Sequence, residues 1–120
     1  MKLSQWFKRE EFSCKCNCNF STVDAELLLV LDELREHFGK PVKITSAARC
    51  VSHNHAVGGS AKSKHLQGLA CDVQVEGIKP AKVYRYLTTE YPHKYGFGLY
   101  VDFVHCDVRS DGPARWNQTT

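Results

Sequence analysis

The chain has 120 residues, 42% of them hydrophobic, which suffices for one core and is too little for two ordinary domains. Its formal charge of +3 is spread among interleaved acids, which excludes the dense basic stripe that tracks a nucleic-acid backbone and licenses only weak attraction to anionic polymers. No window approaches the roughly 18 apolar residues of a membrane span, and residues 1–8 lack the apolar core of a signal peptide, so the expectation is a soluble monomer made in the cytoplasm.

Residues 1–20 read as an extension marked by Cys14-x-Cys16-x-Cys18. Six cysteines could frame disulfides in a secreted mini-protein, but beside a real core and without an export signal they read as reduced thiols. Ser21-Thr22-Val23-Asp24 carries the Ser-x-x-acid signature of a helix start. Val23, Leu27, Val30, Leu31, Leu34 and Phe38 then recur at helical spacing, with Asp32, Glu33, Arg35 and Glu36 on the wet side and Gly39 with Pro41 as the stop. Residues 42–45 alternate as a strand, and 51–68 form a long His-, Ser-, Gly- and Asn-rich loop of the kind that carries function. Residues 70–75 are a second strand, 80–90 a short helix opened by proline, and 97–101 and 103–108 two antiparallel strands. The polar tail loosens beyond Trp116, leaving 117–120 as a free end. This order predicts a single α+β domain, a mostly antiparallel sheet packed against helices.

Side chains two apart on a strand share a face. Cys71, Val73 and Val75 therefore form an apolar face with Asp72 and Gln74 opposite, and Val104, Cys106 and Val108 form another, with Phe103, His105 and Asp107 opposite. Asp72 and His105 can share the polar face of one sheet, and His65, just before the Gln67-Gly68 bend, can fold over it. A lone His or Asp on a strand is ordinarily a satisfied residue; the joint placement is what argues for ligation. Two imidazoles and one carboxylate leave a corner of tetrahedral zinc open for water, as a hydrolase needs. Asp102, three residues before His105, reaches that face only if a bulge or turn intervenes. It then serves as general base toward the attacking water, and otherwise it is a hairpin-turn aspartate.

Other clusters carry less. The Cys14, Cys16 and Cys18 spacing is too short for the usual structural zinc site and lacks an adjoining fourth ligand. Cys71 and Cys106 read as small core hydrophobes. His53-Asn54-His55 reads as loop chemistry, with Asn54 holding the active-site loop. Gly58 to Ser63 lacks the spacing of a phosphate loop, and Tyr84, Tyr86, Tyr91 and Tyr95 read as core and rim aromatics.

Ser63-x-His65-x-x-Gly68-x-Ala70-x-Asp72 matches the pattern SxHxxGxAxD, and Asp102-x-x-His105 matches (D/E)xxH. In these motifs the chain resembles the zinc D,D-carboxypeptidases of the peptidase M15 family and their relatives. These include vancomycin-resistance D-Ala-D-Ala dipeptidases and phage L-alanyl-D-glutamate endolysins, with a fold similar to the Hedgehog signalling domain. The resemblance extends to Thr45-Ser46-Ala47-Ala48-Arg49, Asn54-x-x-Val57-Gly58-Gly59, the run from Phe103 to Arg109, and Ala114-Arg115-Trp116. It implies one Zn2+ per chain on His65, Asp72 and His105, with Asp102 as base. It further implies Arg49 as the group polarising the scissile carbonyl, Ser63 as a hydroxyl near substrate or ligand, and Asp107 as an orienter of a ligand imidazole. The base is often glutamate in such proteins, so the shorter Asp102 needs the backbone to bring it closer. The implied substrate is a peptidoglycan stem peptide, cut by a D,D-carboxypeptidase or a phage-type endolysin that leaves the cytoplasm to act on the wall. The rival is a non-catalytic zinc domain serving binding or structure, which has no need of both Asp102 and Arg49.

Overall fold

Local capping and strand pairing account for most element boundaries in a computed structural model, which describes residues 4–12, 24–46 and 69–119. Helix α1 spans Ala25–Phe38. Its cap is Asp24, whose carboxylate accepts from the Glu26 N–H at 2.8 Å, and not Ser21, which lies outside the described residues. Both residue types cap well, and the acid standing directly before the first helical turn is the one used. At the other end Gly39 takes the left-handed conformation, φ 63°, and its N–H donates to the Arg35 carbonyl at 3.0 Å. Leu27, Val30, Leu31 and Leu34 are the buried stripe. Helix α2, Pro80–Glu90, starts on proline and buries Val83 and Leu87. Tyr86 on α2 stacks on His37 of α1 with centroids 3.9 Å apart, and the Tyr91 hydroxyl just past α2 donates to the Glu33 carboxylate on α1.

Among the described residues five strands make one sheet in the order β1-β2-β4-β3-β5: β1 Val42–Ser46, β2 Ala70–Val75, β3 Gly96–Tyr100, β4 Val104–Asp107 and β5 Ala114–Gln118. All pairings are antiparallel except β3 with β5. This is the mostly antiparallel α+β architecture expected. Cys71, Val73, Val75, Phe97, Val104 and Cys106 join Leu27, Leu31, Leu34, Val83 and Leu87 in a single core, so both helices cover the same face of the sheet. Residues 51–68 and most of the cysteine-rich segment, Cys14, Cys16 and Cys18 included, lie outside the described residues.

Two expectations about the chain's ends are corrected. The segment read as an extension enters the core: Phe7 and Phe12 are 2% and 0% exposed, with a short 3-10 helix at Arg9–Phe12. Ser4 anchors this segment by donating from Oγ to Asp32 of α1 at 2.8 Å. The tail does not loosen at 117, because β5 runs to Gln118, pairing Asn117 with Leu99 and Gln118 with Tyr100. β3 would otherwise expose a row of unpaired backbone groups. Arg115 adds a reason for order: its guanidinium donates to the carbonyls of Tyr91, Lys94 and Tyr95 at 2.6, 3.1 and 2.9 Å, satisfying the chain where it leaves α2.

Candidate metal centre

The backbone brings the candidate ligands together before any side chain acts. The Val108 N–H donates to the Leu69 carbonyl at 3.0 Å, and alternation from that bonded pair makes Cys71 with Cys106 bonded as well and leaves Asp72 opposite His105 as a non-hydrogen-bonded pair. Such pairs bring Cα atoms to about 4.5 Å and their side chains close together. His105 Nδ1 accordingly lies 3.0 Å from Asp72 Oδ1. Behind the pair, on the helix side, the Cys71 and Cys106 sulfurs are 3.6 Å apart, with both thiols free and buried. Burial pushes the Cys71 thiol well above its ordinary value, which leaves it an inert core group.

The other imidazole nitrogen is held as well. His105 Nε2 is 2.8 Å from Asp107 Oδ2. Asp107 is 1% exposed, and the Arg109 side chain closes on it through Nε and Nη2, each at 2.7 Å, with the Arg109 N–H at 3.2 Å. A buried carboxylate is tolerable with that many donors. Burial alone would raise the Asp107 carboxyl, but the hydrogen bonds and charges of Arg109 and His105 hold it down to about 2. Burial likewise opposes charge on His105, and the hydrogen bonds and charges of Asp107 and Asp72 override it, lifting the imidazole to about 9. Among the described residues no buried side-chain nitrogen or oxygen lacks a partner.

Glycines on β3 make room for this arrangement. A Cβ on Gly96 would lie 2.6 Å from both Asp107 Oδ1 and Arg109 Nε, and one on Gly98 would lie 2.2 Å from Trp116 Nε1. Trp116 leans over Gly98 to within 5.1 Å, centroid to centroid, of the His105 ring. Arg109, Trp116 and the two glycines received no role in the sequence reading. Glycines two apart inside a strand pattern, Gly96-Phe97-Gly98, are the signal that points to them, since they mark a close approach on one face.

Asp102 sits in a turn between β3 and β4 closed by the Tyr100 N–H donating to the Phe103 carbonyl at 3.0 Å. It is exposed, its carbonyl accepts from Gln74 Nε2 at 2.8 Å, and it borders a cavity of about 470 Å³ with Lys43, Gln74 and Glu76. Gln74 shares the face of Asp72. His65, Arg49, Ser63 and Asn54 lie outside the described residues.

The described donors suit zinc. Asp72 Oδ1 and His105 Nδ1 are 3.0 Å apart, close to the roughly 3.3 Å between two ligands each about 2.0 Å from a tetrahedral zinc. The opposite nitrogen backed by Asp107 is the usual support of a ligating imidazole. Among the described residues no group of three His, Cys, Asp or Glu side chains is placed to hold a metal, so these two donors need a partner from elsewhere in the chain.

The family model for Peptidase M15 matches residues 5–107. The chain belongs to the peptidase M15 family. No curated protein matches it. As a peptidase M15 member the protein is a peptidase of a generally zinc-dependent family, and both Asp72 and His105 fall inside the matched region, which ends on Asp107. Arg109 and Trp116 lie beyond it. No helix among the described residues of this peptidase is long and apolar enough to cross a membrane.

Proposed function

We propose that the protein is a zinc-dependent peptidase that hydrolyses a peptide bond in peptidoglycan stem peptides. The observation that carries this reading is the Asp72–His105 pair, two metal-competent donors at 3.0 Å on a sheet face opposite the helices, within a peptidase M15 match. His65 completes the ligand set. Bound zinc supplies Lewis-acid polarisation of the carbonyl and acidifies water.

The protein's own groups do the rest. Asp107, fixed by Arg109, accepts a hydrogen bond from the His105 Nε2–H and so leaves the Nδ1 lone pair for ligation. Asp102, an exposed carboxylate in the β3–β4 turn, takes a proton from the attacking water and returns it to the leaving amine. Arg49 binds the carbonyl oxygen as it gains charge, while Ser63 and Asn54 order the surroundings of substrate and ligands.

Purified protein incubated with peptidoglycan, with zinc or with chelator, tests this by mass spectrometry of new amino termini. Cleavage that requires zinc and vanishes in His105→Ala supports it. Unchanged cleavage in Asp102→Asn removes that residue from the mechanism. No cleavage of any wall chemotype at full zinc loading leaves the non-catalytic zinc domain in its place.

A further inference from the structure

We infer that Trp116 and Tyr100 form an aromatic platform that determines which stem residue the site accepts, receiving an aliphatic side chain on the side of His105 away from Asp72. This rests on the peptidase reading above.

The strand order sets the arrangement. Asp72 on β2, His105 on β4, Gly98 on β3 and Trp116 on β5 are register partners in one row across the sheet. With no side chain on Gly98, the Trp116 indole lies down over β3 toward His105, their rings 5.1 Å apart and inclined at 45°. Its Nε1–H donates to the Tyr100 hydroxyl at 3.0 Å, and Tyr100 stacks on Phe103 with centroids 4.4 Å apart and planes within 11°. The Arg109 guanidinium lies 5.5 Å from the Trp116 ring centre, so the indole is braced at that side too.

These three aromatics stand outside the core. Trp116, Tyr100 and Phe103 are half-buried, none belongs to the cluster that both helices cover, and all share the face that carries the candidate ligands. The indole's polar atom is already satisfied by Tyr100, so what the platform offers beside His105 is a fixed apolar surface. Such a surface rewards a methyl or methylene group and offers no hydrogen bond in place of one. Stem peptides present alanine methyls and the aliphatic stem of their diamino residue next to the bonds a peptidase cuts. Preorganisation by Gly98, Tyr100 and Arg109 lowers the ordering cost of binding them.

The test has a binding arm and a kinetic arm. The chain has two tryptophans, so Trp6→Phe leaves Trp116 as the sole indole reporter. Trp6 lies against Arg35 of α1, away from the site. Adding synthetic L-Ala-D-Glu-L-Lys-D-Ala-D-Ala to this variant, metal-free and zinc-loaded, is expected to shift or quench its emission. In the kinetic arm Trp116→Leu is expected to raise KM about tenfold with kcat nearly unchanged and zinc content equal to wild type, Trp116→Phe recovering part of the loss. Substrates with each alanine replaced by glycine locate the contact: wild type discriminates at one position, and Trp116→Leu loses that discrimination. Wild-type cleavage with KM, discrimination and emission all indifferent to Trp116 overturns the platform alone. An emission response without cleavage supports the platform and removes the peptidase reading, and neither response nor cleavage removes both.

Discussion

Toward the helices, the sheet presents Cys71, Val73, Phe97, Val104 and Cys106, none more than 1% exposed, while the same strands turn Asp72, Gly98 and His105 to the other side, where β5 adds Trp116. The first face is held by many interchangeable apolar contacts, each worth little alone. The second depends on specific partners: a carboxylate at each imidazole nitrogen, an arginine on the buried carboxylate, a glycine under the indole. Damage to the first face should therefore appear as lost stability, and damage to the second as lost chemistry in a chain that still folds.

The largest expected effect separates them outright. His105→Ala should bring zinc binding and zinc-dependent cleavage to background while the protein keeps a cooperative melt, because Asp107 retains Arg109. A variant that fails to fold would mean that the two faces are not independent. On the other face Phe97→Ala should cost about 3–5 kcal/mol in urea denaturation, a large part of the 5–15 kcal/mol available to a domain, with zinc per folded chain unchanged.

The division between faces was readable from alternation alone, because a period of two places Cys71 and Asp72, or His105 and Cys106, on opposite sides whatever the rest of the chain does. The ends were not readable that way. Phe7 and Phe12 stand among Lys8, Arg9, Glu10 and Glu11 with no periodic pattern, and they are buried by tertiary packing that no local rule encodes. β5 is an edge strand of mixed residues without an alternating pattern, and what holds it is an open partner strand and the carbonyls that Arg115 caps. The helix start was legible from the Ser-x-x-acid signature, but its fourth residue, Asp24, is the one that caps, since an aspartate accepts from the first-turn N–H groups as well as a serine does. For the site, the motif letters named Asp72 and His105, whereas Arg109 and Trp116 are brought beside them by strand register and by the glycines of β3. His65, Arg49, Ser63 and Asn54 fall outside the described residues, so their part in the site rests on the motif.

A pH series sharpens the contrast, since the polar face carries the His105 imidazole while Cys71, Val73, Phe97, Val104 and Cys106 opposite it include no imidazole or carboxylate. The His105 imidazole is raised to about 9 in the folded, metal-free protein, against about 6.5 when unfolded. Its contribution is therefore complete below about 6.5, shrinks as pH rises and is gone above about 9, a loss on the order of 3 kcal/mol. Asp107, held to about 2, acts oppositely: its contribution is present above about 4 and is lost as pH falls through 2. Thermal melts of the metal-free protein should thus decline between pH 6.5 and 9, and His105→Gln should flatten that decline. The same proton competes with metal for the imidazole, so apparent zinc affinity should climb up to tenfold per unit toward pH 9. A flat metal-free profile alongside flat zinc affinity would mean that the carboxylates do not hold the imidazolium.

The smallest expected change concerns Asp107, as buried as any core residue yet belonging to the polar face. Asp107→Asn keeps the shape and an oxygen for the His105 Nε2–H, and removes the negative charge that makes the imidazole a better ligand. If the residue acts through His105, zinc affinity should fall about 10- to 100-fold while the fold persists, since Arg109 is part-exposed and can recruit water. The pH dependence of zinc binding should also move to lower pH, because the imidazole has lost a charge that held its proton. A purely structural Asp107 would lower the melting temperature and leave both zinc measurements unmoved. Asp107 would then belong with Phe97 and Val104, and the boundary between stability and chemistry would no longer follow the two faces of the sheet.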